Sequence, residues 1–337
     1  MKSLVLNNLS KGQITMQNIP LNRKNLNQRH RLSHQQIDEL LNEKYSKEHL
    51  PEKLGQLFQV GEFIKLTDEF READIPFTPL KGPILSYRLH NDPCKRYSND
   101  LDFLIPIKAI KEAIAVLKKN GYQSCFFPWP ENSNKERRLI KLDNQIVFAH
   151  PKNQVIIEIH WKLFKPTITS SNVLSEVLMS NGHQIVFNER NFQVFNNELE
   201  LLYLIIHGGL HAWFRLKWLI DVKDFIEKIP IDTEKFNQLV EQCNASRMVS
   251  LCNATLSNFF PDSPLLPCKS VRSTKKRLKF TISQIEEEES DYKSFLKKLN
   301  FYWFQIHFFP GFRFKLSVIG VIFHGTYLKL FEFHRKS

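Results

Sequence analysis

Apolar residues first recur at helical spacing over 34–73, where Leu40, Leu41, Leu54, Leu57, Phe58 and Phe63 stand among charged positions. Before them, residues 1 to about 30 are polar and aperiodic, which predicts a loose lead-in. A short extended piece follows at 75–80, punctuated by Pro76 and Pro79, then Gly82 and a helical pattern over 83–89 with Pro83 in its first turn. Apolar residues crowd 101–105, predicting a strand that Pro106 closes. Ile110, Ile114 and Leu117 mark one face of a helix over 108–120, with Gly121 where a left-handed cap is wanted. Two hairpins are expected, one from strands 145–149 and 154–160 turned at 151–153, the other from 184–187 and 192–195 turned at 188–191. From Glu198 the pattern is helical to the end. The order predicts an α+β fold: a small mixed sheet core flanked by helices, with a helical C-terminal region. The expected division is a lead-in over 1–33, a core with its N-terminal helices over 34–197, and the helical region over 198–337.

Composition narrows the class. A net charge of +12 over 337 residues invites an anionic ligand, but the charge is diffuse. The densest basic stretch, 269–279, runs into an acidic one, Glu286 to Glu289, and aromatic residues do not interleave with it. It is expected to be a solvated linker entering a helix rather than a nucleic-acid surface. Five cysteines, none in a C-x-x-C pair, argue against a thiolate zinc site and for a reducing compartment. The N-terminus lacks an apolar signal region, and the apolar segment 316–333 is broken by Gly320, His324, Gly325 and Lys329. A cytoplasmic protein without a membrane span is therefore expected. Phosphate-binding P-loop, nucleophile-elbow and dinucleotide fingerprints are absent from the sequence.

The candidate chemistry begins at Asp100-Leu101-Asp102. Residues i and i+2 on a strand share a face, roughly 7 Å apart, so the two carboxylates can converge on a cation while Leu101 and Phe103 face the other way. Two like charges are costly at that place without one. Mg²⁺ takes carboxylate oxygens together with substrate phosphates. Lys81-Gly82, at a strand-to-helix junction, offers a point charge, a permissive backbone and a helix N-terminus for phosphate. Glu158 interrupts an apolar strand and could complete a metal site or accept a proton. Arg96 could fork a phosphate or pair with a nearby carboxylate. His207 and His211 stand at i and i+4, a spacing that suits zinc or helix packing alike. Asp221, with Arg215 and Trp218, reads as a structural ion pair and anchor.

The ordered set Leu80-Lys81-Gly82, Asp92-Pro93, Arg96, Ser98-Asn99-Asp100-Leu101-Asp102-Phe103, then Glu158-Ile159-His160-Trp161 and the segment from His207 to Asp221 resembles a poorly characterised bacterial nucleotidyltransferase family of the polymerase-β-like superfamily. The resemblance covers about residues 50 to 225. It implies a metal site of Asp100, Asp102 and Glu158 holding Mg²⁺ or Mn²⁺, which are also the catalytic residues. Nucleotide contacts would come from Lys81, Gly82, Arg96 and Ser98, and His160, His207 and His211 would line the pocket. The implied activity is transfer of a nucleoside monophosphate, AMP from ATP being the expected case, to a hydroxyl-bearing acceptor with release of pyrophosphate. The acceptor, whether small molecule, protein or RNA, is not identified by these residues. The alternative is a non-catalytic nucleotide- or partner-binding module on the same fold. The superfamily's usual Gly-Ser pair is replaced by Lys81-Gly82, so phosphate binding must differ in detail.

Overall fold

The computed structural model describes residues 22–43, 49–164, 182–268, 274–287 and 295–306, with scattered positions between 312 and 320. The described residues open on helices α1 (Arg23–Gln28), α2 (His34–Leu41) and α3 (His49–Glu72). Part of the expected lead-in is thus ordered: Asn22 caps α1, Ser33 forms a capping box with Gln36 on α2, and Leu26 and Leu32 are fully buried. Leu26 is the one buried residue of α1, and a single apolar position leaves no period to read.

Five strands form the main sheet: β1 (Thr78–Leu80), β2 (Asp100–Leu104), β3 (Gln123–Ser124), β4 (Gln145–Ala149) and β5 (Ile156–His160). Their order is β1-β2-β5-β4-β3, with β2 and β5 parallel and the other pairs antiparallel. Helix α4 (Gly82–His90) follows β1, α5 (Ile110–Lys119) follows β2, and α6 (Ser133–Leu142) precedes β4. Strand β3 and helix α6 were not anticipated. The helix buries little besides Leu139, so its sequence reads as a polar loop.

One face of the sheet is apolar. Leu101, Phe103, Ile157, Ile159, Ile146 and Phe148 are buried against α3 and α5. Phe103 stacks on Phe63 with ring centroids 5.7 Å apart and meets Phe70 edge-on at 5.5 Å. Burying such a ring stabilises the fold by roughly 1.5–3 kcal/mol. The separate hairpin β6 (Gly182–Phe187) and β7 (Arg190–Phe195) adds Phe187 and Phe192 to this cluster. Its two-residue turn places Asn188 and Glu189 in the left-handed region, as a tight hairpin matched to strand twist requires.

The C-terminal helices are α7 (Asn197–Leu210), α8 (Leu216–Lys228), α9 (Thr233–Gln242), α10 (Ser246–Phe259), α11 (Thr274–Glu286) and α12 (Phe295–Ile306). They build a second apolar cluster around the fully buried Trp213, which α1 and α2 join through Leu26, Leu32 and Ile37. The sheet turns its polar face toward this half: Leu80 and Leu104, on that face, pack into the helical cluster. The basic stretch yields helix from Thr274; 269–273, half of the acidic run and the apolar segment beyond 320 lie outside the described residues. No helix among the described residues is long and apolar enough to cross a membrane.

Candidate active site

Parallel pairing of β2 with β5 sets Asp102 directly beside Glu158 and Leu104 beside His160. Register partners share a face, so Asp100, Asp102, Glu158 and His160 all project from the side opposite Phe103. Ligand atoms of Asp102, Glu158 and His160 lie within 4.8 Å of one another. His160 Nε2 is 3.3 Å from Asp102 Oδ1 and 3.4 Å from Glu158 Oε2. Gln145, on β4, donates to Glu158 from the far side. Asp100 lines the same cavity but stands outside that three-residue group.

Backbone geometry delivers Lys81 to this group. Lys81 (φ 51°, ψ −131°) and Gly82 (φ 53°) both occupy the positive-φ region between β1 and α4. Such a conformation costs a non-glycine residue on the order of 1–3 kcal/mol and persists where the surroundings enforce it. It turns the ammonium back over the sheet, 3.3 Å from Asp102 Oδ2 and above the Tyr203 ring. Gly82 itself is buried and not part of the cavity wall. Its freedom serves the turn.

These groups set one another's protonation. Burial opposes charge on Asp102, but Lys81 and His160 outweigh it and hold the carboxyl well below the usual carboxylate range. Burial likewise opposes charge on His160, yet hydrogen bonds to Asp102 and Glu158 carry its pKa up to about 9. Burial, then repulsion from Asp102 and Asp100, raises Glu158. Lys81 is raised because Asp102 overcomes the cost of burial. Two carboxylates and an imidazole suit a divalent cation. The oxygens are the donors Mg²⁺ favours, and the imidazole extends the choice toward Mn²⁺.

The cavity above holds about 660 Å³ between the sheet and the helical half. Its far wall is aromatic. Trp218 lies 5.2 Å from His207, 5.0 Å from His211 and 4.8 Å from Phe214, centroid to centroid, and Phe301 and Tyr302 of α12 complete that side. Burial, then Lys81, lowers both histidines, His211 to about 4, so they are neutral aromatic lining. The dense aromatic run at 301–304 therefore divides: Phe304 enters the core, Phe301 and Tyr302 face the cavity, and Trp303 is exposed.

Arg96 and Ser98 line the same cavity, and Arg96 takes the second of its two expected roles, pairing with a carboxylate. Arg96 uses Nε and Nη2 on Asp221, at 2.7 and 2.8 Å, in a pair buried on both sides. Its fork is therefore not open to a phosphate, and the partner of Asp221 is Arg96 rather than Arg215. Ser98 Oγ donates to the Asp100 carbonyl at 2.9 Å, bracing the strand start. Sequence reasoning missed Gln56 of α3, whose amide grips both backbone groups of Ser98 at 2.9 and 3.0 Å and so fixes the approach to Asp100. It also missed Lys217, buried in the cavity wall at the start of α8. A lysine in the apolar run from Trp213 to Ile220, where a helix start favours acids, was the available signal.

No curated protein matches the chain. Among solved structures, the antibiotic-resistance factor ANT(2″)-Ia in complex with adenylyl-2″-tobramycin is similar at 14% identity and a TM-score of 0.38, covering 54% of this chain and 94% of that one. The lincosamide antibiotic adenylyltransferase LnuA, lincomycin-bound, is similar at 14% identity and a TM-score of 0.34, with 49% and 94% covered. An antigenic nucleotidyltransferase-like protein from Paracoccidioides brasiliensis gives 11%, 0.34, 68% and 94%. These likenesses are distant, and the ligands belong to those proteins. The sequence itself is matched over residues 23–261 by the family model described as an uncharacterised nucleotidyltransferase. Spanning more than half of the chain and every residue of the cluster on β2 and β5, this match shows that the protein belongs to that nucleotidyltransferase family.

Proposed function

We propose that the protein is a Mg²⁺- or Mn²⁺-dependent nucleotidyltransferase that moves AMP from ATP to a hydroxyl-bearing acceptor and releases pyrophosphate. The observation that supports this is Asp102 in register with Glu158 on parallel strands, bridged by His160, beneath a cation-lined cavity. Asp100, Asp102 and Glu158 would hold the divalent cation, which when bound supplies positive charge to the triphosphate and to the oxygens entering and leaving phosphorus. The protein's own groups do the rest. Lys81, fixed by Asp102, meets phosphate oxygens of the nucleotide. His160 holds Asp102 and Glu158 at their separation. Glu158, raised by burial, receives the proton of the acceptor hydroxyl as its oxygen bonds to the α-phosphorus. The α–β phosphoanhydride bond breaks and pyrophosphate carries away the electron pair. The aromatic wall around Trp218 gives a base or an acceptor ring a surface to stack on.

Purified protein incubated with Mg²⁺, α-labelled ATP and cell extract tests this reading. Wild type should release pyrophosphate and label one size fraction. Asp102→Asn should lower both by on the order of 10²–10³-fold, as removal of a preorganised charge does. Equal release from both proteins would defeat the enzyme and leave the nucleotide- or partner-binding module.

A further inference from the structure

Beyond Lys81 and the Arg96–Asp221 pair, the cavity is lined by Lys217 and Arg31, which make no ion pair among the described residues. Lys217 is 8% exposed, lines the cavity, and makes no ion pair among the described residues. It lies in the first turn of α8, a helix with no acidic residue there and no side-chain cap from Arg215. A cation at that end opposes the helix dipole. The first amides of α8 are already taken by His30, Leu216 N–H donating to Nδ1 at 3.3 Å and Lys217 N–H to the carbonyl at 3.4 Å. What the helix offers is its positive end and the Lys217 ammonium. Arg96 has Nη1 buried without an acceptor, and Arg31 has Nε buried without one; both line the same cavity. Burial, then Arg96, lowers Lys217 to about 7, against the opposing pull of Asp221 and Asp100. An anion seated there would restore its charge.

Resting on the nucleotidyltransferase reading, we propose that the acceptor carries an acidic group, a phosphate or a carboxylate, held by Lys217 and Arg31 at the N-terminal end of α8 while its hydroxyl faces the carboxylates. The triphosphate has a cation of its own at Lys81, held by Asp102. Lys217 lines the same cavity but makes no ion pair with Asp102 or with any other described acid. A polycationic acceptor would have to bring ammonium groups against Arg31 and Lys217 in a cavity whose carboxylates the bound cation and Lys81 would occupy.

Calorimetric titration of the full chain, saturated with Mg²⁺ and the α,β-methylene analogue of ATP, tests the assignment with phenyl phosphate, benzoate and benzylamine as probes. An anion should bind alongside the analogue and benzylamine should not. The tighter of the two anions identifies phosphate or carboxylate. Lys217→Met should weaken the anion on the order of ten-fold or more, Lys217→Arg should keep it, and the analogue's affinity should change less than about two-fold. Thermal unfolding checks that both variants are folded. The proposal is overturned if neither anion binds, if benzylamine binds as well, or if Lys217→Met binds the anion as wild type does. It is also overturned if the anion competes with the analogue and Lys217→Met weakens the analogue, which would assign the site to a nucleotide phosphate. An analogue that fails to bind wild type defeats the nucleotidyl reading itself and this proposal with it. Analogue binding without an anion site defeats this proposal alone.

Discussion

A lysine buried without a carboxylate against it should be felt in the stability of the fold. Lys217 has a pKa of about 7 in the folded protein, set by burial and then by Arg96, against an ordinary 10.5. Between those two values the unfolded chain holds one more proton than the folded one, so this residue makes stability rise with pH across that window. Below pH 7 its full cost is present. Lys217→Met removes the cost, so the variant should be the more stable at pH 6. Its lead should shrink by about 1.4 kcal/mol per pH unit above pH 7, as measured by denaturant unfolding of the two proteins side by side. The difference between them is the readout because His160 acts in the opposite sense. Its pKa is raised to about 9, so the stability it contributes is whole below its ordinary 6.5 and is lost as pH climbs through 9. A lead for Lys217→Met that stays constant from pH 6 to pH 9 would mean that Lys217 is already satisfied in the folded protein.

Among the elements, α7 shows why a pattern can be legible while its purpose is not. His207 and His211 stand out in sequence, and Gly208-Gly209 between them looks like a weakness in a helix. A Cβ on Gly208 would come within 2.2 Å of the Trp213 ring, which is fully buried. The glycine lets the ring sit against the helix while Ala212 and Trp213 turn through left-handed backbone (φ 51° and 55°) to start α8. Gly208→Ala should therefore cost about 1–3 kcal/mol in chemical denaturation, the usual price of overpacking, despite alanine's better helix propensity. Tryptophan fluorescence should shift with it. Gly209→Ala meets the flexible end of Met248 instead and should cost less. Strand β2 was legible for the opposite reason. Its alternation of Asp100 and Asp102 with Leu101 and Phe103 is a local, two-residue period that the sheet enforces. So was the hairpin from β4 to β5, whose turn chemistry is local too. Helix α6 was missed because almost nothing in it is buried, and α1 because one leucine is no period. Arg96 was visible as a charge near the acids, but its partner Asp221 lies 125 residues away. Distance along the chain erases the signal.

That pair crosses between the two halves of the molecule at the cavity. Arg96 belongs to the segment that leads into β2, Asp221 to α8, and each side chain is nearly inaccessible, 2% and 1% exposed. Around them one apolar cluster covers the back of the sheet and the other fills the helical half, so the seam between the two is polar and holds the carboxylates, Lys81 and Lys217. Arg96 also senses Asp100 and Asp102, after Asp221. Asp221→Asn would leave a buried guanidinium half-matched and free to turn toward those carboxylates. The loss should be about 3–5 kcal/mol, as for other buried pairs broken on one side. In a chain of this size that lowers the unfolding midpoint by roughly 2–4 °C per kcal/mol. Replacing both residues, Arg96→Met with Asp221→Leu, removes the unmatched charge along with the pair and should recover much of that stability. If the pair positions β2 as well as holding the seam, the double variant should be stable yet bind Mn²⁺ more weakly than wild type, measured by thermal shift. Asp221→Asn should be poor in both. A double variant that matches wild type in metal affinity would show that the apolar clusters alone hold the two halves in register, and that the pair contributes stability and nothing to the site.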